Sequence, residues 1–173
     1  MTKLEFSTAR LEVIPASLLV NELSPAQSNQ LIHLLTPNTV HFLPEDWQHC
    51  PQTSAQLIDW IKDKLTHCDL LLVRDKQAQC LGLTMLYFST NTIQLGYLIG
   101  EAHWGQGYAS ELLQGLVTHL REIQPDARLN AGVAADNPAS IKVLEKAGFV
   151  LCQTQSPNSS SQLYYTLSLA GLT

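Results

Sequence analysis

The sequence predicts an α+β (mixed α/β) fold, in which a central mixed β-sheet of about six to seven strands is flanked by about four helices. In the second half of the chain, extended apolar runs alternate with segments of helical periodicity, which is typical of strands joined by crossover helices. Hairpin-like pairs of extended runs lie at the centre, in residues 70–88, and at the end, in residues 150–169. Crossovers and hairpins together indicate a sheet of mixed strand direction.

The first half of the chain is expected to place its helices before the central hairpin. The helical segments are residues 16–22, 25–35 and 53–66, and the extended segments are residues 70–73 and 80–88. Ser24 and Pro25 separate the first two helical segments, and Thr53 or Ser54 caps the third. The polar residues 75–77 form the turn of the hairpin.

The second half continues with an extended apolar run and a turn that contains Gly105 and Gly107. A helix follows the turn, because one helical stripe collects Ala109, Leu112, Leu113, Leu116, Val117 and Leu120. Extended residues 129–134 lead into a second helix, which Asp136 or Asn137 caps and Gly148 ends.

The last part of the chain is expected to be a hairpin. Its strands are residues 150–154 and 162–169, and the polar cluster of residues 156–161 connects them.

The glycine turn at residues 104–109 has two interpretations. Glycines one residue apart let the main chain approach a ligand closely, and the free N–H groups of the following helix attract an anion such as a pyrophosphate. Simple tight packing between a strand and a helix explains the same pattern. The turn alone does not decide between them.

Together with the second capped helix, the turn resembles the GNAT acetyltransferase superfamily, whose members transfer an acetyl group from acetyl-CoA to an amine. Residues 93–111 are similar to that family's fourth strand and acetyl-CoA turn. Residues 6–15, expected as a first strand, and residues 137–149 resemble the branch of ribosomal-protein N-terminal (alanine/serine) acetyltransferases. Trp104 replaces the family's usual Gln or Arg, a departure frequent in this branch. The resemblance implies one GNAT-like domain over residues 1–173.

The resemblance also implies a site for acetyl-CoA and no metal. Backbone groups of the turn hold the pyrophosphate, and backbone groups at the end of the preceding strand pair with the pantetheine arm. Asn137 matches a residue that contacts this arm, although a helix cap explains it equally well. The implied cofactor-binding residues are Leu98, Ile99, Gly100, Gly105, Gln106, Gly107, Tyr108, Ala109 and Asn137.

The usual catalytic groups of the family are partly replaced. Leu144 stands where many members have a Tyr that protonates the thiolate, and Ser140 matches a Ser suggested to hydrogen-bond it. Ser140 is thus the candidate catalytic residue, or else only a small first-turn residue. Gln94 stands where relatives often have a basic Glu, so a base must lie elsewhere. The candidates are His41, Glu45, Asp46, Glu101 and His103, for each of which a solvated loop is the alternative.

The acceptor is expected to be a primary amine of a protein N-terminus or a small molecule. An α-amino group costs about 1 kcal/mol to deprotonate at pH 7, whereas a Lys side chain costs about 4–5 kcal/mol, so a site without the Glu favours the α-amine. Residues 41–51 are expected to build the pocket, with Phe42 and Trp47 as walls and Glu45 and Asp46 attracting the amine. Alternatively, Trp47 anchors this segment to the core and the acids are solvated.

The amino-acid composition argues against several classes of binding partner. The net charge of −5 opposes direct nucleic-acid binding, and the lack of a long apolar run predicts a cytoplasmic protein without membrane contact. The four scattered cysteines predict reduced thiols rather than a metal site or disulfides. A homodimer is common in the branch. A CoA-binding sensor or interaction module without transferase activity is the alternative function.

Overall fold

The computed structural model describes residues 4–152 and 162–170. The strands are β1 (Phe6–Ser7), β2 (Leu11–Pro15), β3 (Asp69–Asp75), β4 (Cys80–Phe88), β5 (Thr92–Ile99), β6 (Arg128–Ala134), β7 (Val150–Leu151) and β8 (Gln162–Ser168). The α-helices are α1 (Pro25–Leu34), α2 (Pro37–Val40), α3 (Ser54–Leu65), α4 (Tyr108–Ile123) and α5 (Pro138–Lys146). Among these described residues, no helix is long and apolar enough to cross a membrane.

The strands form one mixed sheet in the order β1-β2-β3-β4-β5-β6-β8-β7. Pairing between β5 and β6 is parallel, and the other described pairs are antiparallel. The expected α+β architecture is confirmed, and the described residues form eight strands and five α-helices where about six to seven strands and about four helices were expected. The additional strand comes from the N-terminal segment and the additional helix is the short α2.

The N-terminal segment is a hairpin, so the expectation of one strand over residues 6–15 is wrong. The turn between β1 and β2 closes when the Leu11 N–H donates to the Thr8 hydroxyl at 3.0 Å and the Thr8 N–H donates to the Leu11 carbonyl at 2.9 Å. A side chain that bonds to the backbone three residues away favours a turn over a continuous strand.

Helix boundaries follow the capping residues. Ser24 begins α1 with a capping box to Gln27, and Thr53 begins α3 by accepting a hydrogen bond from the Gln56 N–H. The expected helix over residues 16–22 shrinks to the single 3-10 turn Ala16–Leu18, which has no side-chain cap at its start. Without a cap, the first N–H groups of that segment lack the partner that α1 and α3 have.

The sheet separates two hydrophobic cores, which explains why its central strands are apolar on both faces. In β3, Leu71 and Val73 pack in the core shared with α4 and α5, while Leu70 and Leu72 pack in the core shared with α1 and α3. Alternate residues of a strand point to opposite faces, so each strand contributes to both cores. The helices therefore cover the sheet from both sides.

The parallel strands β5 and β6 part before they end. Their pairing runs from Thr92 with Arg128 to Leu95 with Ala131, and the last residues of β5 have no partner on β6. Helix α4 follows the carboxyl end of β5, and α5 follows that of β6. The start of each helix therefore lies near the opening between the strands.

The C-terminal strands pair as expected, with Val150 opposite Thr166 and Leu151 opposite Tyr165. The connection predicted at residues 156–161 lies outside the described residues, as do positions 153 and 154 of the predicted strand. Gly148 adopts a φ of +92° directly after the C-cap residue Ala147, which matches its predicted role in ending α5.

Candidate active site

A cleft of about 540 Å³ lies where β5 and β6 part. Its walls come from the end of β5, the glycine turn, the first residues of α4 and α5, and the segment after α2. Of the predicted cofactor-binding residues, those lining the cleft are Leu98, Ile99, Gly105, Gly107, Tyr108, Ala109 and Asn137. The candidate catalytic residue Ser140 also lines it. The fold thus gathers residues from both predicted motifs around one space.

The glycine turn presents an uncapped helix start to this cleft. Gly105 and Gly107 have φ values of +73° and +80°, a conformation that costs glycine little. Gly107 is the N-cap of α4 and provides no side-chain acceptor, whereas Ser24, Thr53 and Asn137 cap α1, α3 and α5. The first N–H groups of α4 therefore remain available to an anion in the cleft.

Gln106 turns away from the cleft. Its carbonyl accepts a hydrogen bond from Arg10 at 2.9 Å, and its side-chain amide donates to the Ala102 carbonyl at 3.3 Å. Its predicted contact with the cofactor is left to its backbone N–H.

The end of β5 offers backbone groups on its open edge. The Gly100 N–H bonds to the Leu81 carbonyl of β4, so by alternation Leu98 also faces β4, while Tyr97 and Ile99 face the gap. The Trp104 indole N–H donates to the Ile99 carbonyl at 2.6 Å. The predicted backbone contact of Ile99 is thus available through its N–H, while the backbone groups of Leu98 and Gly100 take part in the sheet.

A pair of hydroxyls spans the opening, which the sequence did not indicate. The Tyr97 and Ser140 oxygens are 2.7 Å apart, joining β5 to the first turn of α5. Burial raises the pKa of Tyr97 to about 12, against a lowering effect of the bond to Ser140. Tyr97 therefore keeps its proton throughout the neutral range.

Asn137 acts as the cap of α5, as one of its two interpretations expects. Its side-chain oxygen accepts a hydrogen bond from the Ser140 N–H at 3.1 Å. Within the described part of the chain its NH₂ group makes no hydrogen bond, so contact with a ligand in the cleft is compatible with capping. Leu144, one turn after Ser140, is 1% exposed and packs in the core.

The candidate bases differ in position. His103 lines the cleft, with its ring 6.3 Å from that of Tyr108. The Glu101 carboxylate accepts hydrogen bonds from Thr36 and Asn38 at 3.1 and 2.9 Å. Asp136, which the sequence suggested only as a cap, also lines the cleft. Among the residues that line the cleft, His103 and Asp136 are thus those with an imidazole or a carboxylate side chain.

The other candidate bases lie outside the cleft lining. His41 packs edge-on against Phe42, with their ring centroids 4.7 Å apart. Glu45 is exposed, and the Asp46 carboxylate lies 3.7 Å from the Lys64 ammonium. Gln94 is exposed on β5. The candidate bases His41, Glu45, Asp46 and Glu101 are thus all outside the lining described for the cleft, and so is Gln94, which the sequence excluded as a base.

The predicted acceptor segment divides between the cleft and the core. Phe42 is 45% exposed and lines the cleft, as expected of a pocket wall. Trp47 is 3% exposed and packs edge-on against Trp60, with their ring centroids 5.4 Å apart. Trp47 therefore anchors the segment, which is the second of the two interpretations of this residue.

Lys64 fastens the same segment to α3. Its side chain is 6% exposed, and its ammonium donates to the Asp46 carbonyl at 3.0 Å and lies 5.0 Å from the centre of the Trp47 ring. The Asp63 carboxylate, 3.1 Å away, balances its charge. Lys64 thus ties residue 46, four positions after the cleft-lining Phe42, to α3.

Replacing Lys64 by Met is expected to lower the free energy of unfolding by about 1–3 kcal/mol, because the Asp46 carbonyl loses a hydrogen bond from a charged donor. The segment that contains Phe42 should also become more mobile, since it loses its tie to α3. Chemical denaturation checks the first effect, and amide hydrogen exchange of residues 41–47 checks the second. Lys62→Met on the exposed side of α3 is the control, and equal effects of the two variants would contradict the anchoring role.

The cysteines behave as structural thiols. Burial raises the pKa of the Cys80 thiol to about 11, and burial also raises the pKa values of Cys50 and Cys68. All four cysteines are unpaired. Among the described residues no group of His, Cys, Asp and Glu is arranged to hold a metal ion.

Residues 17–150 match the family model described as acetyltransferase (GNAT) domain. An uncharacterized N-acetyltransferase p20 of Bacillus licheniformis is 34% identical over 68 residues, which cover 39% of this chain and 38% of that protein. A ribosomal-protein-serine acetyltransferase of Escherichia coli K12 is 37% identical over 60 residues, which cover 35% of this chain and 34% of that protein. The matched segments therefore span little more than a third of these relatives.

A solved structure, RimL, a ribosomal L7/L12 alpha-N-protein acetyltransferase in complex with coenzyme A, shares the fold. Its TM-score is 0.72 at 19% identity, and the match covers 93% of this chain and 95% of that chain. At this identity the likeness concerns the fold alone.

Proposed function

Since the chain belongs to the acetyltransferase (GNAT) domain family, we propose that it is an acetyl-CoA-dependent N-acetyltransferase with one domain over residues 1–173. It transfers the acetyl group directly to a primary amine in a ternary complex, in the cytoplasm and without a metal. The observation that carries this proposal is the cleft where β5 and β6 part, because an uncapped helix start, free backbone groups and a hydroxyl pair meet there.

In this proposal the diphosphate, the pantetheine arm and the acetyl group of acetyl-CoA lie one after another along the cleft. The diphosphate is placed at the start of α4, whose N–H groups and dipole favour an anion without a cationic side chain. The pantetheine arm is placed along β5, where the backbone of Tyr97 and the N–H of Ile99 offer partners for its amides. The acetyl group then lies near Ser140 and the open end towards Phe42.

In the reaction, the free N–H groups of β5 polarise the thioester carbonyl and stabilise the oxyanion that forms when the amine attacks its carbon. The carbon–sulfur bond then breaks, and negative charge moves to sulfur. Tyr97 and Ser140 hold two protons, of which their mutual bond uses one. Whichever oxygen donates within the pair, the other proton is free to bond to sulfur.

The pKa values decide whether the hydroxyl pair transfers a proton to the thiolate or only donates a hydrogen bond to it. Tyr97 has a pKa of about 12, whereas a thiol has about 8.5, so full proton transfer from Tyr97 to the thiolate is uphill by about 5 kcal/mol. The pair therefore stabilises the leaving thiolate by a hydrogen bond. The neutral amine becomes positively charged when its nitrogen bonds to the carbonyl carbon. The proton that finally neutralises the thiolate is the one this nitrogen loses as it becomes an amide.

The acceptor we favour is a protein N-terminal α-amine, with a weakly basic small amine as the other form. Removing a proton from an α-ammonium group costs about 1 kcal/mol at pH 7, while removing one from a Lys side chain costs about 4–5 kcal/mol. Gln94 provides no base that could offset the larger cost. His103 or Asp136 can accept, directly or through water, the proton that the ammonium form of the acceptor loses before the amine attacks. The names of the relative that acts on ribosomal-protein serine and of the L7/L12 α-N-acetyltransferase support a protein acceptor.

A CoA-binding sensor or interaction module is the second candidate. It is favoured by Gln94 and Leu144, which replace the base and the acid common in the family, and by the burial of Leu144 in the core. This candidate binds acetyl-CoA through the same cleft but releases no thiol in the presence of an amine.

The deciding experiment combines binding with turnover. Acetyl-CoA at about 100 times its dissociation constant should stabilise the protein by about 2.7 kcal/mol. Thiol release is then measured with peptides that have a free N-terminus, with the same peptides blocked at the N-terminus but carrying Lys, and with polyamines and aminoglycosides. Release with free N-termini supports the proposal. Binding without release with any acceptor favours the sensor, and equal turnover of Lys and N-termini would contradict the α-amine preference.

A further inference from the structure

Arg10 joins the N-terminal hairpin to the glycine turn. It lies in the turn between β1 and β2, and its Nη1 donates to the Gln106 carbonyl at 2.9 Å. Its Nε donates to the Glu111 carboxylate, and its guanidinium carbon lies 4.5 Å from the centre of the Tyr108 ring. One side chain thus contacts three residues around the start of α4.

Glu111 holds the hairpin from the other side. Its carboxylate accepts hydrogen bonds from the Thr8 hydroxyl and, at 2.8 Å, from the Arg10 backbone N–H, in addition to the guanidinium. Burial opposes ionisation of Glu111, but these bonds and the charge of Arg10 outweigh it and hold the pKa below its usual value. Glu111 is therefore an anion within the first turn of α4.

The bond from Arg10 determines how the peptide between Gln106 and Gly107 is oriented. The carbonyl and N–H of a trans peptide point in opposite directions. Because the Gln106 carbonyl points to Arg10, the Gly107 N–H points away from Arg10, and Gly107 lines the cleft. Without Arg10 the peptide can rotate, since glycine at 107 tolerates many backbone conformations.

The positive charge of Arg10 has a second effect at the start of α4, which is electrostatic. An anionic Glu111 in the first turn of α4 repels a diphosphate that binds there, and Arg10 cancels that charge through a direct ion pair. The Arg10 side chain is 47% exposed, and an ion pair this accessible contributes only about 0–1 kcal/mol to stability. The network therefore matters more for an anion at the turn than for folding.

We infer that Arg10 is a positioning residue for the diphosphate of acetyl-CoA, which orients the Gly107 N–H and neutralises Glu111. The inference rests on the proposed function, because it presumes that the diphosphate binds at the start of α4. Arg10 acts on the diphosphate through the turn and leaves the acetyl end of the ligand unaffected.

The test compares two acetyl donors. Arg10→Met should raise the dissociation constant for acetyl-CoA about ten-fold through the displaced turn, while that for S-acetyl-pantetheine, which lacks the diphosphate, stays within about two-fold. The turnover number at saturating acetyl-CoA should stay near that of the wild type. Arg74→Met is the matched control, because Arg74 forms an ion pair with Glu12 on neighbouring strands and does not contact the turn.

The results distinguish a failure of the role of Arg10 from a failure of the proposed function. Equal weakening of both donors, or no weakening of acetyl-CoA by Arg10→Met, would overturn the role of Arg10. If the wild type itself does not bind acetyl-CoA, the proposed function fails first. Should Arg10→Met not fold, Arg10→Lys provides the same comparison, because an ammonium lacks the planar fork that bonds Glu111 and Gln106 together. Arg10→Lys is then expected to weaken the binding of acetyl-CoA and not that of S-acetyl-pantetheine. Unchanged binding of acetyl-CoA would overturn the inference.

Discussion

Replacing Gly107 by Asp is expected to raise the dissociation constant for acetyl-CoA about 100-fold, whereas Gly107→Asn should raise it less than about ten-fold. A Cβ at this position has room, since the Arg10 Nη2 atom at 3.5 Å is the one neighbour among the described residues that it meets within 4 Å. Both residues also tolerate the φ of +80° better than other side chains do. The difference between them is one negative charge beside the diphosphate.

The size of the effect follows from the charges around the turn. Arg10 and Glu111 cancel each other, so an added carboxylate leaves the start of α4 with a net charge of about −1 where the dipole alone was favourable. Repulsion of a diphosphate at about 5 Å costs about 3 kcal/mol in a partly solvated site. Isothermal titration and thermal denaturation of both variants measure binding and folding separately. Equal affinities of the Asp and Asn variants would place the diphosphate elsewhere.

Much of the fold was predictable from the sequence because periodicity and caps act locally. The helix after the glycine turn, the strand at residues 80–88 and the start of α3 at Thr53 each depend on residues a few positions apart. The predicted helix over residues 16–22 has the same apolar spacing, but it lacks a cap and yields to a single turn. A cap is not required in every case, because the 16-residue helix α4 forms without one. The short segment after β2 has neither a cap nor such a length, so its local pattern is insufficient.

The candidate site was predictable only in part, because tertiary contacts complete it. The glycine motif predicted a candidate anion site. The contact between Arg10 and Glu111, however, joins residues 101 positions apart, and that between Tyr97 and Ser140 joins residues 43 positions apart. No local pattern connects residues so far apart. The sequence also could not decide whether Trp47 walls the cleft beside Phe42 or anchors the segment, since that depends on its packing against Trp60.

The hydroxyl pair gives the largest expected effect on turnover. Tyr97→Phe should lower the turnover number about 100-fold, the usual cost of removing one preorganised donor to a developing anion. The dissociation constant for acetyl-CoA should change little, because charge on sulfur arises only during the reaction. Tyr164→Phe is the control, since Tyr164 is an exposed tyrosine of β8 that bonds to Gln162 outside the cleft lining.

Ser140→Ala and the double variant then show whether the two hydroxyls act as one unit. If one hydroxyl orients the other, so that the pair presents a single hydrogen bond to sulfur, the double variant is about as slow as the slower single variant. Because burial raises the pKa of Tyr97 to about 12, the turnover number should show no decline from its ionisation between about pH 6 and 10. Additive losses would mean that the hydroxyls act separately, and full turnover of Tyr97→Phe would remove the pair from the mechanism and leave the stabilisation of the thiolate to other groups.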